Sequence, residues 1–310
     1  MGGSQSVCAV ANNAVCDQDH DLSFNIFDEY VYKRSNKNQG AMNRIGILGS
    51  GWLGFALAKE AQKKGHKVKL TTTTEGKVDL LKKQGFLAQF LKLSESSAVG
   101  ELDFFEGIDA LVITIPPGLR NNPQRNYIGL IEQIIQKTES HKIQRVLFTS
   151  STSVYGFQEG IITESSKLLG DTPSAKQIMA VEQRLIKNQN FESCIVRLGG
   201  LIGPDRHPIF TLSGKKNLRN PQSPINFIHQ KDAVAILLQI LENWKGDQTF
   251  NAVTPFHPSR KEYYEQMAKI AQLPPPTFEQ NGAIRGIISS KKVLGELSCQ
   301  FTVKNLLILN

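Results

Sequence analysis

The chain has 310 residues, 40% of them hydrophobic and 21% charged, enough to bury a sizeable core and unlike a disordered or fibrous chain. No apolar run reaches the ~18 residues that a membrane-spanning helix needs, and the start lacks the basic and apolar regions of a secretory signal, so a cytoplasmic location is expected. The formal net charge is +8, but the lysines and arginines are scattered, in pairs such as Lys63-Lys64 and Lys82-Lys83, which favours phosphate-bearing small molecules over nucleic acid.

Four cysteines, Cys8, Cys16, Cys194 and Cys299, match no zinc-ligand spacing; they read as reduced thiols, and no metal site is expected. Residues 1–42 are rich in Asn, Gln, Ser and Gly, and their acids Asp17, Asp19, Asp21, Asp28 and Glu29 outnumber Lys33, Arg34 and Lys37. Only residues 24–32 hold enough apolar side chains for a helical turn or two. The segment reads as a mobile N-terminal extension or leader. Its opening Met1-Gly2-Gly3-Ser4-Gln5-Ser6 also fits an N-myristoylation pattern, one short enough to match by chance.

From Asn43 the pattern changes. Arg44-Ile45-Gly46-Ile47-Leu48 predicts a strand, followed by glycines and a helix over 52–64, with Leu53, Ala56, Leu57 and Ala61 at helical spacing and Gly65 as its stop. A strand over 66–70, a short helix over 78–84, and strands over 86–93 and 110–115 follow. Next come a helix over 123–137, with Tyr127, Leu130, Ile131, Ile134 and Ile135 on one side, and a strand over 145–149. In the second half, helices are predicted over 174–188, 232–244 and 259–273, and strands over 193–198 and 249–252. A loop rich in Gly, Pro and Lys spans 199–224, and Pro274-Pro275-Pro276 precedes a short tail. Strands alternating with helices imply an α/β fold with a Rossmann-type, doubly wound parallel sheet. The expected division is a Rossmann domain over 43–198 and a smaller, substrate-facing C-terminal lobe over 199–310, some of whose segments return to the Rossmann sheet.

Gly49-Ser50-Gly51-Trp52-Leu53-Gly54 is a G-x-G-x-x-G between the first strand and the first helix, the setting that gives this spacing its meaning. The first glycine allows a tight turn, the second lets backbone approach a pyrophosphate, and the third lets helix and strand pack closely. The phosphates would lie at the positive helix N-terminus. An NAD site usually adds an acid about 20 residues on, to hold the ribose hydroxyls. Here that stretch is Leu70-Thr71-Thr72-Thr73-Thr74, with no acid before Glu75. The hydroxyls of Thr72 and Thr73 and the ammonium of Lys77 suit a 2′-phosphate instead, so NADP is favoured over NAD. The strand C-terminal ends, where such sheets place ligands, add Ile115, Pro116, Ser150, Gly199 and Gly200 to the cofactor-binding candidates.

Thr149-Ser150-Ser151-Thr152-Ser153-Val154-Tyr155-Gly156 closes the fifth strand. Further on stand Arg197-Leu198-Gly199-Gly200-Leu201-Ile202-Gly203-Pro204 and Asn226-Phe227-Ile228-His229-Gln230-Lys231-Asp232-Ala233. With the glycine motif, and in this order, the set resembles the short-chain dehydrogenase/reductase superfamily in its extended, NAD-dependent epimerase/dehydratase branch, over residues 43–310. The resemblance implies that Ser151 is the serine that hydrogen-bonds the substrate oxygen. It also implies a Tyr-x-x-x-Lys pair on the next helix, in which the lysine lowers the pKa of the acid/base tyrosine. Matching the family's glutamate to Glu182 puts Ser174 in the tyrosine slot and Ile178 in the lysine slot. Both catalytic groups are replaced. This departure resembles the atypical subgroup that keeps G-x-G-x-x-G and the serine but lacks Tyr-x-x-x-Lys. Substitute proton donors are sought in Tyr155, Lys176 and His207, each with a structural alternative: a wall of the nicotinamide site, a solvated helix residue and a turn brace.

The expected function is that of an NAD(P)-dependent oxidoreductase or epimerase/dehydratase-like enzyme acting on a small, sugar-like or phosphorylated substrate. The alternative is a non-catalytic NAD(P)-binding regulator or redox sensor, which loss of the tyrosine and lysine favours. A small molecule is the expected partner, with neither nucleic acid nor membrane. The resemblance also raises a homodimer seam at the helices over 123–137 and 174–188, whose apolar stripes could equally serve the sheet alone.

Overall fold

The computed structural model describes residues 43–309. The readings of 1–42, including the helical stretch over 24–32 and the thiols Cys8 and Cys16, lie outside these residues. Strand β1 (Arg44–Leu48) leads into helix α1 (Trp52–Lys63), and Gly65, at a φ of 89°, reverses the chain into β2 (Lys67–Thr72). Then come α2 (Glu75–Lys83), β3 (Leu87–Leu93), β4 (Ala98–Gly100) and β5 (Ala110–Ile113). Helix α3 (Tyr127–Ser140) and strand β6 (Arg145–Ser151) follow, then the two-residue β7 (Ile161–Ile162). Helix α4 (Pro173–Ile186) starts where the Thr172 hydroxyl accepts from Ala175 N and Pro173 presets the first turn; β8 (Glu192–Leu198) comes next.

The predicted loop over 199–224 is not continuous. It contains β9 (Gly200–Ile202) and the single-turn helix α5 (Ile209–Leu212), and β9 pairs in parallel with β10 (Phe227–His229). Elements this short carry no measurable period, which is why they read as loop. Helix α6 (Gln230–Glu242), strand β11 (Gln248–Ala252) and helix α7 (Arg260–Ile270) complete the predicted alternation. Strand β12 (Ile287–Ile288) pairs with β7, and α8 (Lys291–Glu296) lies near the end.

The main sheet has the order β11-β8-β6-β5-β1-β2-β3-β4, parallel except for the β3–β4 edge. Both faces are covered, so its strands are apolar on both sides. In β5, Ala110 and Val112 join the core formed with α1, α2 and α6, while Leu111 and Ile113 join that formed with α3 and α4. A third cluster gathers Ile202, Ile209, Ile225, Tyr263, Tyr264, Met267 and Leu306. Cys194 is buried and Cys299 half-buried, both as free thiols. Among the described residues no helix is long and apolar enough to cross a membrane, and no cluster of side chains could hold a metal ion.

Candidate functional site

After β1, Gly49 turns the chain at a φ of 103°, a backbone that favours glycine. The turn is pinned from the next strands. Gly49 N donates to Thr71 Oγ1 at 3.0 Å and Ser50 N to Thr71 O at 2.8 Å, while the Thr114 hydroxyl reaches the Leu48 and Gly49 carbonyls at 2.9 and 3.0 Å. Gly54 leaves no room for a side chain: a Cβ there would lie 2.0 Å from Gly49 O and 2.6 Å from Thr114 Oγ1. Gly51 is the opposite case. A Cβ there would meet nothing within 4 Å, and Gly51 caps α1 with no side chain bonded to the first-turn N–H groups. Uncapped donors at a positive helix end, approachable over bare backbone, fit the pyrophosphate of a dinucleotide.

Beside this turn, at the C-terminal ends of β2, β3 and β5, lies a cleft of about 340 Å³. It brings together Gly49, Ser50, Gly51, Thr72, Thr73, Lys77, Ile115 and Pro116. Thr72 is buried and its hydroxyl accepts from Thr74 N at 3.2 Å, whereas Thr73 is exposed. Helix α2 begins at Glu75, earlier than predicted, so Lys77 stands in its first turn and donates from Nζ to Ser50 O at 2.6 Å. No carboxylate lines the cleft, while two cations do, Lys77 and Arg125. That balance suits an anion. Nothing in the sequence singled out Arg125, which lies before α3 and reaches the fingerprint only through the fold. Leu53 packs into the core instead. Trp52 faces the loop after β9, its indole N–H donating to Pro204 O at 2.9 Å and its ring stacked 5.1 Å from the Arg206 guanidinium.

Ser151 ends β6 and caps the following single turn, its Oγ accepting from Ser153 N at 3.1 Å. The hydroxyl's own proton is not used in that bond. On α4, Ser174 is half-buried and Ile178 is buried. One turn further, the Glu182 carboxylate accepts from the Ser150 hydroxyl and pairs with Arg197, whose Nη2 lies 2.7 Å from Oε2. Arg197 Nη1 donates to the Tyr155 oxygen at 2.9 Å, and Tyr155 donates to Asn251 Oδ1 at 2.7 Å. Ser150 and Tyr155 therefore belong to a buried network joining β6, α4, β8 and β11. Neither lines the cleft. Tyr155 is 1% exposed, uses its hydroxyl as both donor and acceptor, and has its pKa raised by burial against the opposing pull of Arg197. A proton donor must reach the substrate with a pKa near the working pH, and this hydroxyl is placed for neither.

Residues 49–243 match a family model described as NAD(P)H-binding. The chain belongs to the NAD(P)H-binding family. Protein YeeZ of Escherichia coli strain K12 is 30% identical over 273 residues, spanning 86% of this chain and 99% of YeeZ. Among solved structures, UDP-glucuronic acid 4-epimerase from Bacillus cereus, in complex with NAD, has a TM-score of 0.70 at 17% identity, covering 84% of this chain and 92% of that one. A short-chain dehydrogenase/reductase superfamily protein from Agrobacterium tumefaciens with bound NAD has a TM-score of 0.68 at 16% identity, covering 86% and 95%. These likenesses show the shared fold. The family match points to a nicotinamide nucleotide as the cofactor.

Ser151 is not among the residues lining the cleft, and the remaining candidates of this NAD(P)H-binding chain also lie outside it. Lys176 is exposed on α4. His207 is buried in the third cluster, accepting from Ile209 N at Nδ1 and lying 2.8 Å from the Tyr263 hydroxyl at Nε2. That hydroxyl donates to Leu306 O, so it accepts from His207, and burial lowers the imidazole pKa to about 4. Such a histidine is neutral and braces the lobe. Gly199 and Gly200 are fitted to protein rather than to open space: Cβ atoms there would lie 2.6 Å from Asn226 O and 2.4 Å from the Phe227 ring.

Proposed function

We propose that the chain binds NADP in preference to NAD and acts as an oxidoreductase or epimerase/dehydratase-like enzyme on a small, sugar-like or phosphorylated substrate. The carrying observation is the cleft: an open Gly51 at the uncapped start of α1, beside a threonine-lined strand end and cations with no carboxylate. When bound, the nicotinamide supplies a hydride donor or acceptor. The turn from Gly49 to Gly54 holds the diphosphate, and Thr72, Thr73 and Lys77 hold the 2′-phosphate. Ile115 and Pro116 wall the nucleotide, and Ser151 orients a substrate oxygen. Ser150, Gly199 and Gly200 shape the strand ends from behind. Residues 43–198 form the cofactor part, and 199–310 supply the substrate lobe and return β11 to the sheet. The fold shared with a UDP-glucuronic acid 4-epimerase supports a sugar-like substrate. A cytoplasmic setting, and a homodimer joined through α3 and α4, belong to the same reading.

One observation favours a second reading, a cofactor-binding regulator without turnover. Ser174 and Ile178 fill the acid/base slots, and Tyr155 is committed to the interior. Calorimetric titration with NADP and NAD, followed by a substrate screen read by NADPH absorbance, separates the two. Tighter NADP binding with turnover of a sugar-like or phosphorylated compound is expected. NADP binding without turnover of any compound class would support the regulator, and absence of binding by either nucleotide would overturn both.

A further inference from the structure

Arg125 comes into the cofactor cleft from the loop after β5, on the other side of β1 from Lys77, which follows β2. Its guanidinium offers five N–H donors, yet among the described residues its one side-chain hydrogen bond is a long one, Nη1 to Pro116 O at 3.4 Å. Among the described residues it forms no ion pair. A solvated surface arginine would be no surprise, but this one is half-buried and its backbone is held from several sides. Arg125 N donates to Asn122 O at 3.1 Å. Its carbonyl accepts from Gln177 Nε2 on α4 at 3.2 Å, and the same glutamine's Oε1 accepts from Tyr127 N at 2.6 Å. The Tyr127 hydroxyl closes the loop on Ile115 O at 2.7 Å. Gly118 makes room for the guanidinium, since a Cβ there would lie 2.7 Å from Nη1. The arrangement is a pre-placed, unpaired fork of donors in a cleft without carboxylates, and such forks match phosphate.

We propose that Arg125 is a second phosphate-binding cation of this cleft, holding a phosphate of the nucleotide from the side opposite Lys77. The proposal rests on the NAD(P)-binding reading above and adds a residue outside the fingerprint and the threonine run. Two phosphates offer the same chemistry, the diphosphate shared by NAD and NADP and the 2′-phosphate of NADP alone. Gln177 acts through Arg125, fixing the backbone that presents it.

The test titrates wild type, Arg125→Ala and Arg125→Lys calorimetrically with NAD and with NADP at two salt concentrations, with melting curves to check folding. Arg125→Ala should weaken NADP by about tenfold or more and flatten the salt dependence, because a charge contact is removed. Arg125→Lys should recover part of the loss, keeping the charge without the planar fork. An equal fall for both nucleotides assigns the diphosphate, and a fall confined to NADP assigns the 2′-phosphate; both sustain the proposal. If wild type binds and Arg125→Ala matches it within about twofold for both nucleotides, Arg125 is a solvated surface residue and the proposal is overturned alone. If wild type binds neither nucleotide, the NAD(P) reading falls with it.

Discussion

The ammonium of Lys77 donates to the carbonyl oxygen of Ser50 at 2.6 Å, so the first turn of α2 is latched to the glycine turn that precedes α1. One of its three N–H donors is used in this way, which leaves two for a phosphate. Lys77→Ala should weaken NADP by about tenfold or more, through loss of a charge-assisted contact worth roughly 1.5–3 kcal/mol. NAD should weaken as well, but less, because the latch that orders the turn is lost for both. Calorimetric titration with the two nucleotides measures the gap. A wild type that prefers NAD would remove the 2′-phosphate role from the threonine run and Lys77 together.

Gly51 and Gly54 make a contrasting pair. Gly51 has a φ of −71°, open to any residue, and free space around its Cβ position. Gly51→Val should therefore keep the melting temperature while abolishing binding of both nucleotides, its side chain occupying the approach to the first-turn N–H groups. Gly54→Ala should instead destabilise the fold, on the order of 3 kcal/mol, because its methyl group collides with the Gly49 backbone. Unchanged nucleotide affinity in Gly51→Val would sink the assignment of the turn.

The Glu182–Arg197 pair lies almost wholly inside the protein, at 1% and 5% exposure. Removing one partner leaves an uncompensated buried charge, so Glu182→Ala should cost about 3–5 kcal/mol in chemical denaturation. Tyr155→Phe should cost less, roughly 1–2 kcal/mol, since it deletes two hydrogen bonds and keeps the ring under Arg197. Its nucleotide affinity should match wild type. A large fall in rate with unchanged stability would return Tyr155 to the role of proton donor.

The residues that the sequence made legible act within one strand–turn–helix unit. Ile45 and Ile47, the glycines at 49, 51 and 54, and the helical spacing of Leu53, Leu57 and Ala61 stand within one short stretch of chain, so period and motif report them. The threonines at the end of β2 were reached by a fixed count from the same motif. Arg125 and the Ser150–Glu182–Arg197–Tyr155–Asn251 network could not be reached that way. Their partners meet across four secondary elements, and a lone arginine or glutamate in sequence has no period. The motif similarity did point to Glu182 and Arg197, but as landmarks; that they bind each other, and draw Tyr155 inward, is set by how α4 and β8 pack. Likewise β9 and β10 are three residues each, stabilised by each other rather than by local preference.

Burial lowers the pKa of His207 to about 4, below its ordinary value. The unfolded chain therefore takes up a proton at this residue near pH 6.5 while the folded chain does not until about pH 4. Stability should fall as pH drops through that interval, by up to about 3 kcal/mol in total, and His257, lowered in the same direction by burial, adds to it. Most carboxylates stay ionised in the upper part of the window, so melting temperatures between about pH 7 and pH 5 isolate the histidines. His207→Gln should reduce that slope. A slope unaltered by the substitution would mean that His207 reaches solvent and titrates normally.

Whether the chain performs chemistry turns on Ser151. Its Oγ accepts from Ser153 N, and its proton is available to a substrate oxygen at the end of β6, the edge where open α/β sheets place ligands. Ser151→Ala deletes both roles. The lost cap should cost about 1 kcal/mol, small enough for the protein to remain folded and bind NADP as wild type does. On the proposed role, in which the hydroxyl acts on the reacting group, turnover should fall by orders of magnitude, in kcat rather than in KM for the nucleotide. Ser151→Thr keeps a hydroxyl on the same carbon and should recover part of the rate along with the cap. Ser174→Ala should change little, since a half-buried serine without a neighbouring base has no acid/base function to lose. Equal turnover in Ser151→Ala and wild type would remove Ser151 from the site, and a wild type that binds NADPH yet turns over no compound class would make the cofactor-binding regulator the better description of this chain.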